Sequence, residues 1–76
     1  MGDRTGEANT LYNIASLEYD QGNLQTALTN IKSAIAIIED LGSKISSKDL
    51  RKSYFTTVEN YYQLQSKILI KLRQKN

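Results

Sequence analysis

Apolar residues recur every three or four positions in two consecutive segments of the chain, the period of an amphipathic helix. The first segment predicts a helix from about residue 7 to 21, with apolar positions Ala8, Leu11, Ile14, Ala15 and Leu17. Gly22 follows it, and glycine readily takes the left-handed conformation that ends helices. Asn23 is then placed to cap the next helix with its side chain. So short a turn predicts that the second helix runs antiparallel to the first.

The second segment predicts a helix from about residue 24 to 41 that Gly42 ends. Its apolar face is broad enough to need more than one neighbour and consists of Leu24, Ala27, Leu28, Ile31, Ala34, Ile35, Ile37, Ile38 and Leu41. Ala15 and Ala27 lack bulk, so they let the backbones of the first two helices approach closely.

A third helix is predicted from about residue 47 to 73, with Ser46 as its cap and Asp49 completing a capping box. Its apolar positions are Leu50, Tyr54, Phe55, Val58, Tyr61, Tyr62, Ile68, Leu69 and Leu72. The chain is thus predicted to be a single all-α domain over residues 1–76, an antiparallel helical hairpin plus a long third helix. The lack of proline and the presence of only four glycines agree with this fold class.

Composition excludes the common catalytic and metal sites. The 76 residues include no cysteine and no histidine, which removes thiol nucleophiles, imidazole bases and the usual zinc ligands. The neighbouring carboxylates, Glu18 with Asp20 and Glu39 with Asp40, are backed by no base or nucleophile. We therefore predict a protein without enzymatic activity, cofactor or metal. With no signal-like or membrane-length apolar run, we expect it to be soluble and cytoplasmic.

The spacing of large and small residues across the first two helices is informative. It comprises Leu11, Ile14, Ala15, Gly22, Leu24, Ala27, Ile31 and Ala34. This register resembles the tetratricopeptide repeat (TPR) family, whose pattern is W-x2-L-G-x2-Y, then A-x3-F, then P. Ala27 matches by identity and the others match by size, while Glu39 stands where the family has proline.

Two further features refine the resemblance. The second helix runs on to Leu41, as in the longer kinesin-light-chain-like form of the repeat, and residues 2–8 look like the junction between two repeats in bacterial arrays. The long third helix resembles a cap on the last repeat, since terminal repeats are atypical. The resemblance therefore implies an α-solenoid fragment that packs on neighbouring repeats of a parent protein.

The family binds peptides or partner helices on a concave face that its first helices line. The resemblance places this partner-binding face on Asn9, Tyr12, Ser16, Tyr19 and Asp20. Tyr12 and Ser16 stand where some members begin a lysine and asparagine clamp for carboxyl termini, so the resemblance does not imply that clamp. It implies a non-enzymatic scaffold module for protein partners.

Two other features of the third helix each have a simpler interpretation. Tyr54, Phe55, Tyr61 and Tyr62 could stack nucleic-acid bases, but rings at helical spacing favour packing in the core. Lys67, Lys71 and Lys75 form a basic stripe that could meet phosphate or a membrane, yet positive charge also stabilises a helix carboxyl end. Nucleic acid and membrane are thus disfavoured as partners.

We also expect self-association. Thr10 and Leu17 would face a missing neighbour, and Tyr54 and Tyr61 could take part, with exchange of the third helix between two copies as one route to a homodimer. The alternative architecture is a complete three-helix bundle like those of microtubule-interacting and trafficking domains, which bind partner helices between two of their own.

Overall fold

The computed structural model describes residues 4–74, and this part of the chain contains three α-helices and no strand. The helices are α1 (Arg4–Gln21), α2 (Leu24–Gly42) and α3 (Lys48–Gln74). The prediction of an all-α hairpin with a long third helix is confirmed, and α1 begins about a turn earlier than expected. Residues 2 and 3, where the expected repeat junction begins, and Lys75 of the basic stripe lie outside the described residues.

The turn between α1 and α2 is a Schellman motif. Gly22 has a φ of +85°, its N–H donates to the Tyr19 carbonyl at 3.1 Å, and the Asn23 N–H donates to the Glu18 carbonyl at 2.8 Å. The predicted role of Gly22 is therefore correct. The side-chain cap expected from Asn23 is wrong, because its side chain makes no capping bond and its amide donates to Gln21 instead, at 3.4 Å.

Replacing Gly22 by alanine is expected to lower the free energy of unfolding by about 1 to 2 kcal/mol, the cost of a left-handed conformation for a residue with a Cβ. A Cβ at this position would meet no atom within 4 Å, so the loss would report backbone strain alone. Urea denaturation followed by circular dichroism measures it. The free energy of unfolding should fall less in Gly22→Asn, since asparagine tolerates this conformation better. An equal fall in the two variants would contradict the explanation.

Small residues line the contact between α1 and α2. Ala8 and Ala15 of α1 and Ala27 and Ala34 of α2 are fully buried. Without side-chain bulk they bring the two backbones close, and Ile31 fills the space between them as one of the two largest fully buried side chains. At the open end of the hairpin, Arg4 pairs with Asp40 at 2.8 Å; both side chains are nearly half exposed, so the pair adds at most about 1 kcal/mol.

The carboxyl end of α2 differs from the prediction at Gly42. This glycine remains helical, and the cap is Ser43 in the right-handed conformation. Gly42 has a different role: it leaves room for the ring of Tyr54 in α3, which would have to move if this position carried a Cβ. The start of α3 also differs: Lys48 is its first residue, so Ser47 rather than Ser46 precedes it, and the Ser47 carbonyl accepts the Arg51 N–H at 3.0 Å.

Only one of the apolar faces of α3 packs on the hairpin. Tyr61, Leu64 and Ile68 are buried, and Tyr54, Val58 and Leu72 are partly buried against them. Leu64 was absent from the predicted stripe. Four predicted members lie largely exposed instead: Leu50, Phe55, Tyr62 and Leu69.

The register predicted for close packing is mostly buried, with one clear exception. Leu24, Ala27, Ile31 and Ala34 are buried and Leu11 is partly buried. Ile14 is 40% exposed, because it lies on the side of α1 that neither α2 nor α3 covers. None of the three helices described is long and apolar enough to cross a membrane.

Candidate interaction surface

The five residues predicted to bind a partner occupy one side of α1. Asn9 and Asp20 are exposed, and Tyr12, Ser16 and Tyr19 are half-buried. Spacings of three, four and seven residues place Asn9, Tyr12, Ser16 and Tyr19 on adjacent ridges of the helix. We refer to these five residues as the α1 polar face. It offers amide, hydroxyl and carboxylate groups beside two aromatic rings, a combination suited to binding peptide backbone.

Tyr12 is held by α3. Its ring stacks on that of Tyr61 with centroids 4.8 Å apart and planes inclined by 12°. Tyr61 is only 4% exposed, so the stack joins the core to the α1 polar face and adds about 0.5 to 1.5 kcal/mol beyond the area it buries. One face of Tyr12 is therefore occupied by Tyr61, and a partner would have to use the rest of the ring.

Three exposed polar residues share one side of α3 with buried Leu64. Asn60 precedes Leu64 by four residues, and Lys67 and Lys71 follow it by three and seven. α1 and α3 contact each other only sparsely, so the Tyr12–Tyr61 stack is the contact that joins α3 to the α1 polar face.

Burial raises the pKa of the Tyr61 phenol above its ordinary value, and the nearby Tyr12 phenol raises it further. The folded protein thus favours the neutral phenol. This preference contributes stability that is fully present below about pH 10, the ordinary pKa, and that is lost as the pH rises through the raised pKa.

We therefore expect wild-type protein to lose stability between neutral pH and pH values above about 10 more steeply than Tyr61→Phe does. Urea midpoints of the two proteins across this range measure the difference. The free energy of unfolding of the wild type minus that of Tyr61→Phe should fall as the pH rises past about 10; parallel curves would show that the Tyr61 phenol does not titrate differently in the folded state.

The other aromatic residues of α3 do not form one platform. Tyr54 is half-buried over Gly42, and its ring is 5.7 Å from that of Phe55, at a tilt of 52°. Phe55 is exposed, while Tyr62 donates a hydrogen bond from its hydroxyl to Glu39 of α2, which raises the pKa of Tyr62. Tyr61 is buried and Tyr54 faces α2, so neither of these predicted self-association residues is free within a folded chain.

The remaining two self-association residues lie on the uncovered side of α1. Leu17 is 55% exposed and Thr10 is exposed, seven residues apart and therefore on one face with Ile14 between them. Sequence reasoning placed Ile14 in the packed register; the alternating exposure along α1 shows that it belongs to this outer side.

Charged groups in the described part of the chain form surface pairs. Asp40 accepts from Arg4 and, at 3.4 Å, from Lys44, and Glu39 accepts from Tyr62. Residues 4–74 contain no group of three or more carboxylate, histidine or cysteine side chains that could hold a metal ion. No protein-family model, curated protein or solved structure matches the chain.

Proposed function

We propose that this chain is a non-enzymatic protein-interaction module, built like a terminal TPR repeat with α3 as its cap, and that it binds a peptide or a partner helix on the α1 polar face. The observation that carries the proposal is the Tyr12–Tyr61 stack. In a helical repeat, α1 and α3 would be first helices of successive units, and first helices meet along the concave side. The stack brings α1 and α3 together on the side where the predicted partner-binding residues lie.

The packing of the helices supports the same proposal. α2 packs on both α1 and α3, while the latter two contact each other only sparsely, the Tyr12–Tyr61 stack being one of their contacts. A complete three-helix bundle of the microtubule-interacting type would pack each helix against both others. The sparse contact between α1 and α3 therefore disfavours that alternative.

The chemistry of the surface indicates the kind of ligand. Asn9 and Ser16 can hydrogen-bond to a peptide backbone, and Tyr19 supplies apolar area. Asp20 adds an exposed carboxylate at one end of the face. A peptide with one or two apolar anchors and a basic group to meet Asp20 fits this surface better than a strongly acidic one.

Selection from a random peptide library displayed on phage, with the full chain as bait, tests the proposal. Synthetic peptides from the enriched sequences should bind, and amide chemical shifts in NMR spectra should change at Asn9, Ser16 and Asp20. Ser16→Arg should weaken binding at least tenfold, because it places a long charged side chain in the middle of the face.

The matched control is Ser33→Arg, the same change at an exposed position of α2, which should bind as wild type does. Asn9→Arg repeats the test at a fully exposed site, and circular dichroism verifies that each variant is folded. Failure to enrich any peptide, or shifts confined to other surfaces, would overturn the proposal.

A further inference from the structure

Within residues 4–74, two helix faces carry apolar side chains that the other helices leave partly or largely exposed. The first, the α1 outer face, consists of Thr10, Ile14 and Leu17, with Leu17 55% exposed. The second, the α3 outer seam, consists of Phe55, Val58, Tyr62 and Leu69. Phe55 is 59% and Leu69 is 42% exposed.

The α3 outer seam has the spacing of a helix-packing surface. Phe55, Tyr62 and Leu69 follow one another at intervals of seven residues, as in a heptad repeat. Val58 lies three residues after Phe55, at the second apolar position of the heptad. This stripe lies beside the one that packs on the hairpin through Tyr61 and Ile68. α3 thus presents a seam suited to one more helix.

Charge distinguishes the two faces. α1 contains three acidic residues and one basic residue, Arg4, which is paired with Asp40. Glu7, Glu18 and Asp20 each lie three or four residues from a member of the α1 outer face and so flank it.

The α3 helix has the opposite balance, with six basic and two acidic residues. Arg51 and Lys52 precede Phe55 by four and three residues, and Arg73 follows Leu69 by four, so three basic residues flank the α3 outer seam. Glu59 is the acidic residue beside the seam, and Glu39 of α2 is bonded to Tyr62.

These charges decide which pairs of faces can meet. Two α3 seams would bring like basic charges together, and two α1 faces would bring like acidic charges together, so both symmetric pairings are opposed. The pairing of an α1 outer face with an α3 outer seam joins opposite charges around apolar centres. We propose that copies of this chain bind head to tail, with the α1 outer face of one copy on the α3 outer seam of the next.

Such a contact is heterologous, so every assembly retains one free face of each kind at its ends. Assembly therefore continues with concentration instead of stopping at a dimer, unless the rotation between copies closes a ring. Apart from Asp20, which flanks the α1 outer face, the contact uses no residue of the α1 polar face. The variants that test the contact lie outside the polar face, so failure of the contact would leave the proposed peptide binding intact.

Sedimentation velocity of the full chain over micromolar to millimolar concentrations tests the proposal. The average mass is expected to rise past that of a dimer and to fall at high salt, which screens the flanking charges. Leu17→Gln and Leu69→Gln each remove the apolar centre of one face and should each weaken association at least tenfold.

Mixing the two variants gives the decisive result, because each keeps one intact face of the opposite kind. The mixture is expected to form a 1:1 heterodimer with wild-type affinity and nothing larger. Ile70→Gln is the matched control, since Ile70 is 54% exposed on the same helix but one residue off the seam, and it should associate as wild type does.

Ile14→Gln and Phe55→Gln repeat the test on the same two faces should either first variant fail to fold by circular dichroism. A wild-type chain that stays monomeric throughout would overturn the proposal. So would a dimer that Leu17→Gln leaves unchanged but Leu69→Gln removes, which indicates pairing of two α3 seams. A discrete dimer that salt and every variant leave unchanged would indicate exchange of α3 and would overturn it as well.

Discussion

Replacing Ile68 by alanine is expected to lower the free energy of unfolding by about 2 to 5 kcal/mol, because it leaves a cavity where α3 packs on the hairpin. Ile68 is fully buried, and with Ile31 it is one of the two largest side chains from which solvent is excluded. A chain of 76 residues has a total stability of only about 4 to 11 kcal/mol at the usual value per residue. The loss is therefore a large fraction of the total.

Urea denaturation followed by circular dichroism measures this loss, at protein concentrations low enough to keep self-association out of the equilibrium. Ile70→Ala makes the same chemical change two residues away at an exposed position and should alter stability by no more than about 0.5 kcal/mol. Equal losses at both positions would show that α3 does not present Ile68 to the core.

The second large effect concerns the close contact between α1 and α2. Ala27→Leu is expected to cost about 1 to 3 kcal/mol, since the larger side chain must push apart two backbones that meet at fully buried alanines. Thermal and urea unfolding measure it. The same substitution at Ala36, which is exposed in the same helix, should be neutral, because leucine and alanine are both good helix formers. A destabilisation shared by the two variants would place the contact elsewhere on α2.

Local signals predicted the hairpin well. The position of Gly22 directly after a helix predicts a left-handed backbone conformation, and the structure confirms it. The small residues Ala15 and Ala27 indicated the close approach of the first two helices, and both are fully buried. Gly22, Ala15 and Ala27 all lie within about two helical turns of the α1–α2 connection, so short-range sequence patterns are enough to predict their roles.

The orientation of α3 could not be predicted with the same success. Its apolar residues occupy two neighbouring stripes, and periodicity alone does not reveal which stripe faces the hairpin. Leu64 completes the buried stripe but was not included in the prediction, whereas Phe55 and Leu69 were included and lie exposed. The choice depends on contacts with α1 and α2, such as the ring of Tyr54 over Gly42.

The partner-binding face shows the same limit. The family resemblance predicts that Tyr12 and Tyr19 belong to it, outside the stripe of Leu11, Ile14 and Ala15. In the structure both side chains are partly buried against the hydrophobic core, and the ring of Tyr12 stacks on that of Tyr61. A pairing between residues in the first and third helices leaves no signal in the spacing of either helix, so only the folded arrangement reveals it.

The position of α2 between the other two helices has a consequence for how the chain opens. α1 and α3 contact each other sparsely, so α3 can detach without disturbing the buried alanines between α1 and α2. Partial opening of this kind requires less free energy than complete unfolding. We therefore expect two cooperative units, a hairpin formed from residues close in sequence and a detachable third helix. The amide hydrogens and peptide bonds of the third helix are expected to become accessible first.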